Sequence, residues 1–95
     1  MEKMDEIQVY VRELRLNLVQ VEIYETQLRS DVKIMFAMLQ TVLRQAVCVD
    51  PDEIDYAALD QAKNIYIETH DLLDLTIKTK EKVIKRLEQF TSSYH

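Results

Sequence analysis

The sequence predicts an all-α fold, a long antiparallel helical hairpin of the coiled-coil type, and three observations carry that prediction. The chain of 95 residues has no glycine. A seven-residue apolar repeat runs through its first half, and its single proline, Pro51, follows an aspartate near the middle. Together they indicate one helical domain over residues 1–95, with helices over about 3–47 and 51–91, a turn at 48–51 and a short C-terminal tail.

The absence of glycine excludes several kinds of structure and site. Hairpin turns and β-bulges use glycine because its backbone enters positive φ without strain. The phosphate-binding and dinucleotide-binding loops are likewise defined by their glycines. A β-rich fold and both nucleotide motifs are therefore not expected, and we predict no catalytic residues, no cofactor-binding residues and no metal ligands.

Two apolar series, four residues apart, each repeat every seven residues in the first half of the chain. This spacing is typical of a helix that packs lengthwise on another helix. Only Glu25 interrupts the second series, and Met38, outside both, is expected to fill gaps in the core as Met35 does. The first series is Ile7, Leu14, Val21, Leu28, Met35, Val42 and Val49, and the second is Val11, Leu18, Val32, Leu39 and Ala46.

Two alternatives to a single long first helix remain open from the sequence. Residues 7–24 also alternate apolar and polar types, which is typical of a β-strand. Ser30-Asp31 and Thr69-His70-Asp71 carry helix-capping types, and breaks at both would give a compact four-helix bundle within one chain. We favour uninterrupted helices, because the heptad phase continues through Val42 and neither segment contains glycine or proline.

The sequence Asp50-Pro51-Asp52-Glu53 is predicted to end the first helix and to start the second. Asp50 can cap a helix, Pro51 suits the first helical position, and Glu53 would complete a capping box. Proline also disfavours the α conformation for the residue before it. The second helix is therefore expected to begin at Pro51.

The second helix is predicted to bury an apolar stripe that a neighbouring set of residues widens. In an antiparallel hairpin its basic stretch Lys78–Arg86 would lie beside Glu13, Glu22 and Glu25. Exposed ion pairs of this kind align helices more than they stabilise them. The stripe is Ile54, Ala58, Ala62, Ile65, Thr69, Leu72, Thr76, Val83, Leu87 and Phe90, and the wider set is Leu59, Tyr66, Leu73, Ile77 and Ile84.

The first helix carries more apolar surface than one neighbouring helix can cover. Val9, Leu16 and Ile23 project almost opposite the main apolar series, because two residues rotate about 200° around a helix. A helix that is apolar on two faces is buried on two sides. We therefore expect a protein partner, in a homodimer or a hetero-oligomer, that completes a four-helix bundle. The predicted interface residues are Val9, Leu16, Val19, Ile23, Phe36 and Leu43.

Two residues whose side chains could bind a metal or react, His70 and Cys48, are given ordinary structural interpretations. His70 lies near Asp71 and Asp74, but di-metal helical bundles use Glu-x-x-His pairs, and Ile67 occupies the position of that glutamate. Cys48 is the only cysteine, and we interpret it as a small apolar residue near a helix end.

The net charge and the hydropathy of the chain limit the kinds of partner that it is expected to bind. A net charge of −5 argues against nucleic acid, because binding to phosphates needs a basic surface. No apolar run approaches the roughly 18 residues of a membrane span. The acidic start, Met1–Glu6, does not resemble a signal peptide. One cysteine is compatible with a reducing, cytoplasmic location.

These features predict a non-enzymatic assembly subunit of the scaffold, adaptor or chaperone-like kind, with no small-molecule substrate. One alternative is a small acidic inhibitor that masks a basic target protein. Another is a dimeric all-helical enzyme with basic residues converging between its helices. The candidates for that role, by residue type alone, are Arg12, Arg15, Arg29 and Lys33.

Overall fold

The computed structural model of the chain describes residues 2–93, with side chains described for residues 4–91. It consists of helix α1 (Glu2–Cys48), a one-turn 3₁₀ helix (Pro51–Glu53) and helix α2 (Tyr56–Ser93). No strand occurs between residues 2 and 93. The predicted all-α helical hairpin is confirmed, and the predicted tail residues Tyr94 and His95 lie outside the described residues.

The turn between the helices differs from the predicted capping box. Asp50 is extended, with φ −63° and ψ 150°, and its side chain makes no capping hydrogen bond. The Glu53 amide donates to the Asp50 carbonyl oxygen at 2.8 Å, which closes the 3₁₀ turn. Ile54 is half-buried and returns to an extended backbone at ψ 127°, so the turn begun at Pro51 does not continue into α2.

Helix α2 is capped by Asp55. The Ala58 amide donates to Asp55 Oδ1 at 3.0 Å, and the Leu59 amide donates to the Asp55 carbonyl oxygen at 3.1 Å. An aspartate oxygen in this position satisfies one of the amides that a helix start leaves without an intrahelical acceptor. The capping residue is therefore Asp55, five residues after the aspartate that the sequence favours.

Helix α1 is uninterrupted, and the heptad pattern describes its buried side. Residues 7–24 are helical, as are Ser30 and Asp31, so neither the strand nor the break occurs. Every position of the two predicted series from Ile7 to Ala46 is buried or half-buried, and Glu25 shares that environment. We call the line along which the two helices pack the seam.

The seam of α2 follows the predicted stripe and its wider set, except at Ile65 and Leu72. Ile65 and Leu72 are exposed, whereas Leu73, placed in the wider set, is buried. Thr69 lies in the seam and donates its hydroxyl to the Ile65 carbonyl oxygen at 2.7 Å, so it bonds within α2 instead of breaking it. The seam positions of α2 are Leu59, Ala62, Tyr66, Thr69, Leu73, Thr76, Lys80, Val83, Leu87 and Phe90.

The chain divides into two compact units, each made of one segment of α1 and one of α2. Unit 1 contains residues up to Thr26 together with those from Leu75 onwards. Its buried side chain is Leu14. Tyr10 and Phe90 meet edge to face with ring centroids 5.2 Å apart, and Lys80 Nζ lies 3.0 Å from Glu25 Oε1.

Unit 2 runs from Gln27 to Asp74 and includes the turn. Its buried side chain is Leu73. The rings of Phe36 and Tyr66 lie 5.6 Å apart and link the two helices at the edge of the seam. Because both units bury little, the packing of α1 on α2 rests on half-buried residues.

Candidate functional site

Four of the predicted interface residues form an apolar strip on unit 1. Val9, Leu16, Val19 and Ile23 are between 50% and 63% exposed. Their spacing places them opposite the seam of α1, since a step of two residues from the seam series rotates about 200°. We call these four residues the outward face. Large apolar side chains that remain open to solvent on a contiguous strip are typical of an interaction surface.

The other two predicted interface residues lie in unit 2 and have a different environment. Phe36 and Leu43 stand beside the seam of α1, and both are exposed. Phe36 already contacts the Tyr66 ring, so part of its surface is used inside the hairpin. The six predicted residues are therefore two groups, one in each unit.

A segment of α1 that includes Phe36 and Leu43 is uncharged on every side. Residues 34–43 contain no charged side chain. Within them, Ile34 and Met38 are 51% and 52% exposed, so Met38 does not fill the core as predicted. Ten uncharged residues between Lys33 and Arg44 were the signal for this surface in the sequence.

The side of unit 2 on which Met38 lies carries apolar residues on both helices, with the exposed Glu68 between Ile65 and Leu72 on α2. Gln45 and Ala58 line a common hollow at the turn, together with the seam residues Val42 and Ala46. Met38 lies seven residues before Gln45, and Ile65 lies seven residues after Ala58. Residues seven apart lie on the same side of a pair of packed helices. The Met38 side, as we call it, comprises Ile34, Met38, Thr41, Ala58, Ile65 and Leu72.

The Met38 side has a surface hollow against which another helix could pack closely. Its volume is 390 Å³, and Ile34, Ala37, Met38 and Thr41 are among the residues that line it. The Thr41 hydroxyl donates to the Ala37 carbonyl oxygen at 2.9 Å. A partner that covered Thr41 would therefore not leave a hydroxyl donor unsatisfied, which removes the usual penalty for burying a threonine.

One group of polar side chains has metal-ligand character within the described residues. Ligand atoms of His70, Asp71 and Asp74 lie within 4.8 Å of one another, and His70 Nδ1 is 3.5 Å from Asp74 Oδ2. All three residues are exposed on the surface of α2. An exposed histidine next to carboxylates one helical turn away is an ordinary surface arrangement, so this group carries no functional conclusion.

Two of the four basic residues named for an enzyme line a common hollow. Arg12 and Arg15 line an open hollow of 500 Å³ in unit 1 together with Ile7 and Phe90. Arg29 and Lys33 are exposed residues of unit 2. The described residues that line this hollow include no carboxylate, histidine or cysteine.

Comparisons with other proteins give no further guide to function. No protein-family model, curated protein or solved structure matches the chain. Among the described residues, no helix combines the length and the apolar character needed to cross a lipid bilayer. The class of protein that the structure itself defines is a two-helix hairpin with uncovered apolar surfaces.

Proposed function

We propose that this chain is a non-enzymatic assembly subunit, a helical hairpin that serves as a scaffold, adaptor or chaperone-like protein by packing on other helices. One observation carries the proposal. The accessible surface of the chain is 7773 Å². A compact monomer of this mass exposes about 5,700 Å². The difference of about 2,000 Å² is similar to the area that one subunit buries in a permanent complex.

The composition of the uncovered surface supports the same function. Leu14 and Leu73 are the only buried apolar side chains among residues 4–91. The outward face, Phe36, Leu43 and the four large residues of the Met38 side (Ile34, Met38, Ile65 and Leu72) are apolar and exposed. Water is excluded from such surfaces at a gain of about 25 cal/mol per Å², so association with other apolar surfaces is favourable.

The sulfur chemistry of the chain bears on its location. Cys48 is a free, exposed thiol at the end of α1. Unpaired exposed thiols persist in reducing compartments and are oxidised or cross-linked elsewhere. The exposed thiol of Cys48 is compatible with the cytoplasmic location that we propose.

Sedimentation equilibrium of the isolated chain over a wide concentration range tests the proposal. A defined oligomer supports it, as does a chain that aggregates or is partly unfolded until a partner helix is supplied. A compact, fully folded monomer at every concentration would overturn it, because such a molecule would not need its apolar surfaces covered.

A double variant and a control variant test whether the outward face takes part in association. Leu16→Glu combined with Ile23→Glu places two charges on this face and leaves the seam intact. We expect a lower average mass if copies associate there, or less aggregation if another partner binds there. Asn17→Glu is the control, because Asn17 is exposed in the same segment and lies about 100° from Leu16 around the helix. If the double variant behaves like the control, the outward face is not an interaction surface.

A second candidate function is a small acidic regulator that masks a basic protein. The observation that favours it is the charge of unit 2, where nine acidic residues against four basic ones give a net charge of −5. Five of these acids, all exposed, lie close together at the turn: Asp50, Asp52, Glu53, Asp55 and Asp60. Tight binding to basic proteins that weakens steeply with added salt would favour this function.

A further inference from the structure

We infer that the hollow between α1 and α2 in unit 1 is a binding site for a small organic anion with an apolar body, held by Arg12 and Arg15. The hollow has a volume of 500 Å³. Sites for small molecules occupy about 300–1,000 Å³. All of its described lining residues belong to unit 1. The inference goes beyond the assembly function and does not depend on it.

The apolar part of the hollow is built by both helices. Ile7 and Val11 are half-buried seam residues of α1, and Phe90 is a half-buried seam residue of α2. The edge-to-face contact with Tyr10 orients the Phe90 ring. Met4 extends the apolar lining towards the start of α1. A hydrocarbon chain or ring placed against these side chains is removed from water, which is favourable.

The two arginines form the charged part of the hollow. They are three residues apart, which places them on one face of α1. Neither has a carboxylate three or four residues away on that helix, although the chain contains 17 acidic residues. Neither guanidinium is ion-paired with a described residue. Both charges are therefore available to an anion from outside the chain.

The remaining lining groups do not compete for this anion. The acidic residues beside the lining along the chain include Glu13 and Glu88, which are exposed and do not line the hollow. The Thr91 hydroxyl donates to the Leu87 carbonyl oxygen at 2.8 Å, so it is satisfied within α2. The Gln8 amide is a further donor. Guanidinium groups bind carboxylate and phosphate through two parallel N–H bonds, so the head group is one of these anions.

The order of the lining residues along α1 sets the orientation of the ligand. From Met4 to Arg15 the hollow follows about 16 Å of helix, at 1.5 Å per residue. A bound anion therefore places its head group at Arg12 and Arg15 and its apolar body towards Met4. A neutral analogue loses the charge-assisted hydrogen bonds, and a cationic analogue is repelled by both arginines.

Titration with decanoate tests the inference on the wild-type chain, in the oligomeric state that sedimentation shows. Nuclear magnetic resonance gives the dissociation constant and the residues whose amide signals shift. We expect saturable shifts centred on residues 4–15 and 90–91, and little change in unit 2. Decanol has the same chain without the charge and should bind at least tenfold more weakly. Monodecyl phosphate identifies the preferred head group, and saturable binding of either acid supports the inference.

Removal of the two charges tests the role of the arginines. Arg12→Gln combined with Arg15→Gln should raise the dissociation constant for decanoate at least tenfold. Lys82→Gln combined with Lys85→Gln is the matched control, because it removes two exposed positive charges from the same unit outside the described lining of the hollow. We expect the control to change the dissociation constant less than twofold.

Filling the hollow tests its shape independently of charge. Gln8→Trp places a large side chain in the lining and keeps both arginines, so it should weaken decanoate binding at least tenfold as well. Gln8 is exposed, and circular dichroism verifies that the helices remain in each variant. A loss of binding is then distinguished from a loss of the fold.

Four results would overturn the inference. They are decanol binding as tightly as decanoate, an equal loss in the arginine and lysine variants, shifts spread evenly over both units, and no binding to the folded chain at millimolar decanoate. Even shifts over both units would mean that the probe binds exposed apolar surface in general. None of these results changes the outcome of the sedimentation test, so the site and the assembly function fail separately.

Discussion

Lys80 and Glu25 form an ion pair inside the seam of unit 1, with Nζ and Oε1 3.0 Å apart and side-chain exposures of 30% and 14%. Both occupy heptad positions that their neighbours fill with apolar residues. A slip of α2 by one heptad would set Glu25 against Leu73 or Leu87. Polar residues at seam positions specify register, because an incorrect alignment leaves a charge facing apolar groups.

A double-mutant cycle measures this relationship. We expect Glu25→Ala and Lys80→Ala to show a coupling free energy of unfolding of about 0.5–2 kcal/mol, because the pair is partly desolvated. Urea denaturation of the wild type, both single variants and the double variant gives the value. The exposed pair His70 and Asp74 is the comparison, and its coupling should not exceed about 0.5 kcal/mol. Equal coupling in the two cycles would contradict the role of the seam pair.

The capping geometry predicts different effects for two aspartates near the turn. Asp55→Ala should lower the free energy of unfolding by about 0.5–2 kcal/mol, since Asp55 Oδ1 accepts the Ala58 amide at the start of α2. Asp50→Ala removes no side-chain capping bond and should have a much smaller effect. Chemical denaturation of both variants provides the measurement. A larger loss from Asp50→Ala would restore the capping box that the sequence suggests.

Two leucines on α2 provide a matched test of the seam. Leu73→Ala should lower the free energy of unfolding by about 2–4 kcal/mol, because it removes a buried side chain and leaves a cavity. Leu75→Ala, two residues further on, changes an exposed side chain and should shift the stability by no more than about 0.5 kcal/mol. Denaturation at one fixed protein concentration compares the two. Similar losses in both would mean that the phase of the α2 seam is wrong.

The contact between Tyr10 and Phe90 predicts a local effect. Edge-to-face aromatic pairs contribute about 0.5–1.5 kcal/mol beyond the area they bury. Phe90→Ala should therefore accelerate amide hydrogen exchange around both Tyr10 and residue 90, and leave exchange in unit 2 unchanged. Tyr24→Ala, at an exposed tyrosine of the same unit, is the control. Uniform acceleration over both units would show that the contact acts on the whole hairpin.

The features that the sequence predicted well depend on periodicity. The seam of α1 follows from the heptad series, because a spacing that repeats over six heptads selects a single side of the helix as the buried one. The continuity of both helices follows from the absence of glycine and from the single proline. The pairing of Glu25 with the basic stretch of α2 also followed from antiparallel alignment, although its position within the seam did not.

The features that were missed depend on tertiary contacts. The apolar residues of α2 are so numerous that periodicity alone could not distinguish the Ile65–Leu72 phase from the Tyr66–Leu73 phase. The packing of α1 decides between them, and it leaves Ile65 and Leu72 outside. Asp50, Pro51 and Glu53 match a helix start locally, but the half-buried, extended Ile54 defers that start to Tyr56. The Met38 side could be recognised only once the structure showed that Ile65 and Leu72 lie outside the seam and that α2 starts at Tyr56.

The position of the turn also bears on the order in which the hairpin forms. Phe36 and Tyr66 are 30 residues apart along the chain, whereas Glu25 and Lys80 are 55 residues apart. Closing a longer loop loses more entropy, and contacts between distant residues form later. We expect unit 2 to form first around the turn, so that each later contact then closes only a short additional loop. Unit 1 would be the last part to form, and its two chain ends the first to separate and become accessible to proteases.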